Sequence, residues 1–336
     1  MQFDPSQSAV VLGCGSWGTA LGITLAEYFH TVTLVGRDDD QVAEINAFHT
    51  NANFLPRITL PTNIQATTDY AVTKDASLIL FVVPTSATRA AATELAKVGI
   101  PSTIPLISCS KGIERGSGSR MSEIIAELLP QNPVAVHSGP THAEEVSTKM
   151  ATCAVVGTPD EQLAEELQKV FTTPFFRTYT SDDVAGIELG GALKNVFAIA
   201  AGVISGIGLG DNAIAAMVTR GLAEMTRLGV ALGGRPETFA GLSGVGDLMV
   251  TCYSSHSRNN RVGKAIGSGE TLEEVTTRLG MVAEGVPNTL SIYEAAKAHN
   301  IDTPIIDAVY HILYENKSAE EALVELLTRD LKPEME

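Results

Sequence analysis

Ala9-Val10-Val11-Leu12-Gly13-Cys14-Gly15-Ser16-Trp17-Gly18-Thr19-Ala20-Leu21 is the stretch on which the fold turns. Ala9 to Leu12 reads as a short buried strand, and Thr19 to Ala26 reads as the opening of an amphipathic helix. The G-x-G-x-x-G turn between them lets the backbone approach a pyrophosphate, with the helix N-terminus aimed at its negative charge. Glycine clusters also mark ordinary tight turns, and a methyltransferase-type glycine loop is the main competing ligand site. Strand, turn and helix in this order favour a dinucleotide. The contacts expected from the turn are Gly13, Gly15, Ser16, Trp17 and Gly18.

Outward from this unit, the first half alternates apolar runs with helical stretches. Thr31–Val35, Ser77–Val83, Ile104–Ser108 and Val134–His137 are nearly continuous in apolar residues, as strands buried on both faces of a parallel sheet should be. Ala154–Val156 and Phe175–Tyr179 extend the sheet. The runs end at Gly13, Arg37, Pro84, Lys111 and Gly139, and ligands of open α/β sheets bind at such ends. From about Asp182 the strand runs stop and helical periodicity takes over, closing with a capping box at Ser318-Ala319-Glu320-Glu321. The expected fold is α/β: a doubly wound sheet domain over residues 1–181, followed by an all-α domain over 182–336.

The length of 336 residues fits two domains, and 44% hydrophobic with 18% charged residues is the composition of a globular chain. A formal net charge of −16 argues against nucleic acid or an anionic membrane surface as partner, so an anionic ligand needs a local basic cluster. Cys14, Cys109, Cys153 and Cys252 lack a C-x-x-C pair and read as small buried residues in a reducing compartment. Met1–Pro5 has neither a basic region nor an apolar run, which predicts no signal peptide and a cytoplasmic location. Leu189–Leu209 approaches the length of a membrane span, but Lys194, Asn195 and several glycines make it a buried helix instead. No H-E-x-x-H spacing or Cys/His cluster is present, so no metal is expected.

Arg37 closes the second strand, where a dinucleotide fold places its ribose-reading residue. An arginine there can pair with a 2′-phosphate and favours NADP; Asp38 and Asp39 follow at once and leave NAD open. Ser110-Lys111-Gly112 and Ser138-Gly139-Pro140-Thr141-His142-Ala143 are turns after strands, and both would line the cleft. Lys194 is the sharpest single residue. In a helix capped from Ser181–Asp183 its side chain leans back over Gly190 and Gly191, where a small substrate could meet the ammonium. Desolvation and a second cation such as Lys111 would lower its pKa towards the range of a general acid/base. Asp247 and Thr251 share a helix face; Asp247 either holds the lysine or a substrate hydroxyl, or caps its helix. Ser257-Arg258-Asn259-Asn260-Arg261 reads as a capped helix start able to bind a phosphate through Arg258 and the first amides, or as a solvated basic face.

Taken together, the motifs resemble the NAD(P)-dependent glycerol-3-phosphate dehydrogenase family in its shorter bacterial form. The matching segments are Gly13–Leu21, Ser110-Lys111-Gly112, Ser138–Thr141, Gly190–Val196, Gly244–Leu248, Ser257-Arg258-Asn259 and Val282-Ala283-Glu284-Gly285, in the family's order and across most of the chain. The resemblance implies a Rossmann domain followed by a helical domain and a cleft between them. It also implies a homodimer and the interconversion of dihydroxyacetone phosphate and sn-glycerol 3-phosphate for phospholipid synthesis. It makes Lys194 the proton donor/acceptor. Substrate contacts fall on Lys111, Gly139, Thr141, Asn195, Asp247, Ser257, Arg258 and Asn259. Cofactor contacts fall on Ser16, Trp17, Arg37, Lys111, Ala143, Arg258, Val282 and Glu284. A related β-hydroxyacid dehydrogenase, a non-catalytic nucleotide sensor and a methyltransferase are the rival readings; the Arg258 run, implying a phosphorylated substrate, disfavours the first.

Overall fold

A computed structural model of the chain describes residues 2–279, 283–331 and 333–334. β1 (Ser8–Leu12), β2 (Thr31–Val35), β3 (Ile64–Thr67), β4 (Ala76–Phe81), β5 (Leu106–Ser108), β6 (Val134–Ser138), β7 (Thr152–Gly157) and β8 (Phe176–Ser181) form one sheet in the order β3-β2-β1-β4-β5-β6-β7-β8. β1 to β6 are parallel, β7 returns antiparallel to β6, and β8 runs parallel to β7. The order reverses between β1 and β4. That switch point opens a crevice at the strand C-termini, directly over the glycine turn.

Helices cover both faces. They are α1 (Ser16–Leu25), α2 (Asp39–Phe48), α3 (Thr88–Val98), α4 (Met121–Leu128), α5 (Ala143–Ser147) and α6 (Glu161–Phe171). Leu21, Ile23 and Leu25 of α1 pack with Leu163, Leu167 and Phe171 of α6 on one face. Ala92 and Leu95 of α3 pack with Ile125 of α4 and Ile79 and Phe81 of β4 on the other. This doubly wound arrangement is the Rossmann-type half of the expected fold.

Two strand details depart from the sequence reading. β3 is an edge strand with Gln65 exposed between buried Ile64 and Ala66, so it carries no continuous apolar run to reveal it. β5 begins only at Leu106, because Pro105 has no N–H to give the ladder; its carbonyl still accepts from Ile79 N–H at 3.1 Å.

Among the described residues, the elements after β8 are all helical: α7 (Val184–Ile207), α8 (Asp211–Ala231), α9 (Pro236–Phe239), a π-helical turn at Leu242–Gly246, α10 (Asp247–Tyr253), α11 (Arg258–Gly267), α12 (Leu272–Leu279), α13 (Gly285–Ala298), α14 (Pro304–Tyr314) and α15 (Ala319–Leu327). Asp183 caps α7, accepting from Gly186 N–H at 2.9 Å, and Ser318 with Glu321 forms the expected box before α15. α7 is long and apolar enough to cross a membrane, yet 94% of that window is buried inside the fold, where it serves as the core helix. α11 lies almost backbone-to-backbone on it. A Cβ at Gly263 would strike the Ile199 carbonyl, and one at Gly267 would strike that of Val203. Two polar ties complete the frame. Glu188 of α7 accepts from Ser122 N–H and from Arg120 at 2.9 Å each, joining α7 to the start of α4. Glu224 of α8 accepts from Ile305 and Ile306 N–H, capping α14 from a neighbouring helix.

Candidate active site

The glycine turn divides its labour. Gly13 has φ +117°, and a Cβ there would lie 2.5 Å from the Val82 carbonyl oxygen, so only glycine makes the turn. A Cβ at Gly18 would collide with the Gly13 carbonyl, which lets α1 start against β1. At Gly15 a Cβ would meet nothing within 4 Å. The middle of the turn is thus open to an incoming group, as a pyrophosphate cradle requires. The Cys14 carbonyl accepts from Gln41 at 2.6 Å and from Asn51 at 2.9 Å, fixing the turn from behind. Burial pushes the Cys14 thiol up to about 12, so it remains a thiol filling space against Gly36. Ser16 donates to the Phe54 carbonyl at 2.8 Å, and the Trp17 ring lies 6.0 Å from that of buried His137.

Arg37 is exposed at the end of β2. Asp38 directs its carboxylate to Asp40 N–H at 3.0 Å and Gln41 N–H at 3.2 Å as the cap of α2, and Asp39 begins that helix. The nearest carboxylate after β2 is therefore occupied by its own helix.

Across the crevice, four side chains meet. Lys194, 6% exposed in the middle of α7, donates to Asp247 Oδ1 and, at 2.8 Å, to Thr251 Oγ1. Lys111, after β5, donates to Asp247 Oδ2 at 2.6 Å and to the Gly139 carbonyl at 3.0 Å. α10 places Asp247 and Thr251 one turn apart, and Thr251 also donates to the Asp247 carbonyl at 2.6 Å. Burial lowers Lys194 to about 8, against the upward pull of Asp247 and with further help from Lys111. Burial alone would raise the Asp247 carboxyl, but the two ammonium groups together hold it below its ordinary value. Asp247 is thus the acceptor for both lysines and provides no side-chain cap to α10.

One expectation is corrected here. The space over Gly190 and Gly191 is filled: a Cβ at Gly190 would lie 2.5 Å from the Ser243 carbonyl oxygen, and one at Gly191 2.8 Å from Ser138 Oγ and 3.3 Å from Lys111 Cγ. These glycines admit the π-helical turn and the Lys111 stem to the surface of α7. They make room for protein, and the ammonium meets Asp247 there.

Around this cluster, Asn195 donates to the Lys111 carbonyl at 3.4 Å and accepts from Asn259 at 2.9 Å, while Asn259 accepts from Gly285 N–H at 3.0 Å. Ser257 caps α11 by accepting from Asn260 N–H at 3.2 Å. Arg258, exposed, donates to Ser16 Oγ at 3.3 Å and so reaches from the helical half to the glycine turn. Thr141 donates to the Gly139 carbonyl at 3.1 Å, and Ala143 opens α5 against α1. Partly buried Glu284 precedes α13; burial raises it to about 7, with Arg258 pulling the other way. Val282 lies outside the described residues. His142, expected in the cleft-lining turn but given no role of its own, has its Nε2 3.5 Å from the Val250 carbonyl and its ring centroid 5.9 Å from that of His256. Sequence reasoning missed Asn288, a polar residue on the buried side of α13.

A glycine turn at a switch point, facing a buried lysine held on a carboxylate, defines a two-domain, dinucleotide-dependent dehydrogenase. The family models for the N-terminus and C-terminus of NAD-dependent glycerol-3-phosphate dehydrogenase match residues 8–164 and 183–324. Glycerol-3-phosphate dehydrogenase [NAD(P)+] of Enterococcus faecalis is 48% identical over 98% of both chains. Its counterpart in Desulfitobacterium hafniense is 44% identical over 97% of this chain and 92% of that one. The crystal structure of glycerol-3-phosphate dehydrogenase from Coxiella burnetii superposes with a TM-score of 0.93 at 37% identity, covering 97% of this chain and all of the other. The chain belongs to the NAD-dependent glycerol-3-phosphate dehydrogenase family.

Proposed function

We propose that the protein catalyses the NAD(P)H-dependent reduction of dihydroxyacetone phosphate to sn-glycerol 3-phosphate, and its reverse, in the supply of glycerophospholipid synthesis. The observation that carries this reading is the Lys194–Asp247–Lys111 cluster, joined to the glycine turn through Arg258 and Ser16. The open side of Gly15 fits the cofactor's pyrophosphate, with Gly13, Gly18 and Trp17 shaping the turn and Ala143 and Glu284 bordering it. The bound nicotinamide supplies the hydride to C2 of the ketone.

Protonated Lys194 gives its proton to the C2 oxygen as the new C–H bond forms, and neutral Lys194 takes it back in the reverse direction. Asp247 and Thr251 aim the ammonium, and Lys111 adds positive charge where negative charge develops. Ser257, Arg258 and the first amides of α11 hold the phosphate, with Gly139, Thr141, Asn195 and Asn259 setting the floor and wall of the site. Arg37, free of the carboxylate that caps α2, favours NADP over NAD.

We further propose two domains, 1–181 and 182–336, a homodimer, and a cytoplasmic location. The end of β8 at Ser181 and the capped start of α7 support the boundary. Four free cysteines support a reducing compartment. The homodimer is carried by the family resemblance and is checked by light scattering. The enzymatic test mixes purified protein with NADPH or NADH and dihydroxyacetone phosphate and follows reduced-nicotinamide absorbance; no oxidation with either cofactor would overturn the assignment.

A further inference from the structure

Asn288 lies far along the chain from the proposed reaction residues, yet it holds the loop that carries Lys111. It is in the first turn of α13 and 3% exposed. Its Nδ2 donates to the Ala192 carbonyl of α7 at 3.0 Å, and its Oδ1 accepts from Ile113 N–H at 3.2 Å. One amide therefore bridges the Lys111 loop and the helix that bears Lys194. The loop is shaped to receive it. A Cβ on Gly112 would lie 2.9 Å from Asn288 Oδ1 and 2.6 Å from Thr85 Cγ2, so the backbone comes in where a side chain could not. Upstream, Ser110 donates to the Val83 carbonyl at 2.6 Å, and Asn195 donates to the Lys111 carbonyl at 3.4 Å. With its backbone pinned on both sides, Lys111 reaches Asp247 at 2.6 Å.

We propose that Asn288 is a positioning residue of the reaction, holding the Lys111 loop against α7 so that Lys111 and Lys194 arrive on one carboxylate. The inference rests on the reading of Lys194 as proton donor. Its physical basis is that a buried amide stays paired: if Asn288 is removed, Ile113 N–H loses its partner and the loop gains freedom to seek another. Lys111 then spends less time on Asp247, and Lys194 loses a like charge from its surroundings. The titratable groups facing Lys194 are Asp247 and Cys252 of α10, Lys111, and His142 before α5. Of these, Lys111 is the one on the loop that Asn288 holds, two residues before the Ile113 N–H that Asn288 accepts from.

The test measures the pH profile of ketone reduction in the wild type, Asn288→Ala, Lys111→Met and the double variant. Asn288→Ala should move the midpoint of the falling alkaline limb up by roughly half a pH unit, as expected when a nearby like charge is withdrawn. It should also lower kcat/KM about ten- to a hundredfold through misplacement. In Lys111→Met protein the same change should leave the midpoint where Lys111→Met has put it. Gly112→Ala strains the same joint from the loop side and should shift the midpoint in the same direction; it serves if Asn288→Ala does not fold. A midpoint unmoved in Asn288→Ala (or in Gly112→Ala, where that variant stands in), or a further shift in the double variant, would overturn the role of Asn288. A wild type with no alkaline limb, or a limb that survives in Lys194→Ala, would instead overturn the lysine assignment and the inference with it.

Discussion

Lys111 and Lys194 bring their ammonium groups to opposite oxygens of the Asp247 carboxylate, from chain positions on either side of the crevice. Two cations and one buried anion leave a net positive site. Such a site attracts an anionic substrate despite the chain's overall charge of −16. The same geometry sets the lysines against each other, and the more buried one, Lys194, is lowered to about 8. A proton donor of that strength can both release and regain its proton near neutral pH.

Replacing Lys194 with alanine should lower kcat by about 10²- to 10⁴-fold, the usual worth of a positioned general acid. Binding of NADPH, followed by its fluorescence, should be essentially unchanged, because Lys194 lies on the substrate side. A loss of less than roughly tenfold would remove the lysine from the proton-transfer step.

The pH profile has a definite sign. Reduction needs protonated Lys194, so its rate should fall as pH rises through about 8. Oxidation of the alcohol needs the neutral amine and should rise through the same value. Asp247→Asn removes the charge that holds the proton on Lys194, while burial and Lys111 remain. Its falling limb should therefore lie at lower pH than that of the wild type, and a limb displaced upward would contradict the electrostatic account.

Arg37→Ala should raise KM for NADPH roughly ten- to a hundredfold, the range of one or two charge-assisted hydrogen bonds, and leave KM for NADH nearly unaltered. The ratio of the two constants is the measurement. Equal changes for both cofactors would mean that Arg37 does not read the 2′-phosphate.

Glu224 offers a test of stability away from the chemistry. Burial raises it to about 7, against the backbone N–H groups of Ile305 and Ile306 that favour its charged form. A folded-state value above the ordinary 4.5 means that its contribution is fully present below that pH and is lost as pH rises through about 7. Thermal melts of Glu224→Gln should show a shallower decline of Tm between about pH 5 and pH 8 than the wild type. Glu224→Ala, which leaves both α14 amides without their acceptor, should cost about 2 kcal/mol or more. An identical Tm slope in Glu224→Gln would place the source of the pH dependence elsewhere.

The elements that bury both faces were legible, because a central parallel strand such as Thr31–Val35 writes itself as an apolar run. The half-exposed edge strand Ile64–Thr67 does not, and it escaped notice. Within the site, the sequence pointed to Lys111, Lys194, Asp247 and Thr251, and the structure brings these four side chains together, Asp247 meeting the lysine that was one of three partners open to it. What Gly190 and Gly191 are for was not legible. A glycine in sequence announces missing volume without saying whether ligand or protein will take it, and here Ser243 and Lys111 do. Asn288 was invisible for a related reason: its partners are 175 and 96 residues away, and no local pattern encodes such pairings.

The separation of the proton-handling groups along the chain has a consequence for how the molecule is made. Asp247 pairs with Lys111 across 136 residues and with Lys194 across 53. During translation the glycine turn emerges first, the two lysines follow, and the carboxylate that orients them leaves the ribosome well after both. The two lysines are thus made before the α10 side chains that aim them. Fragments released early, by premature termination or by cleavage ahead of α10, carry both lysines and the glycine turn but lack the carboxylate that aims the two ammonium groups.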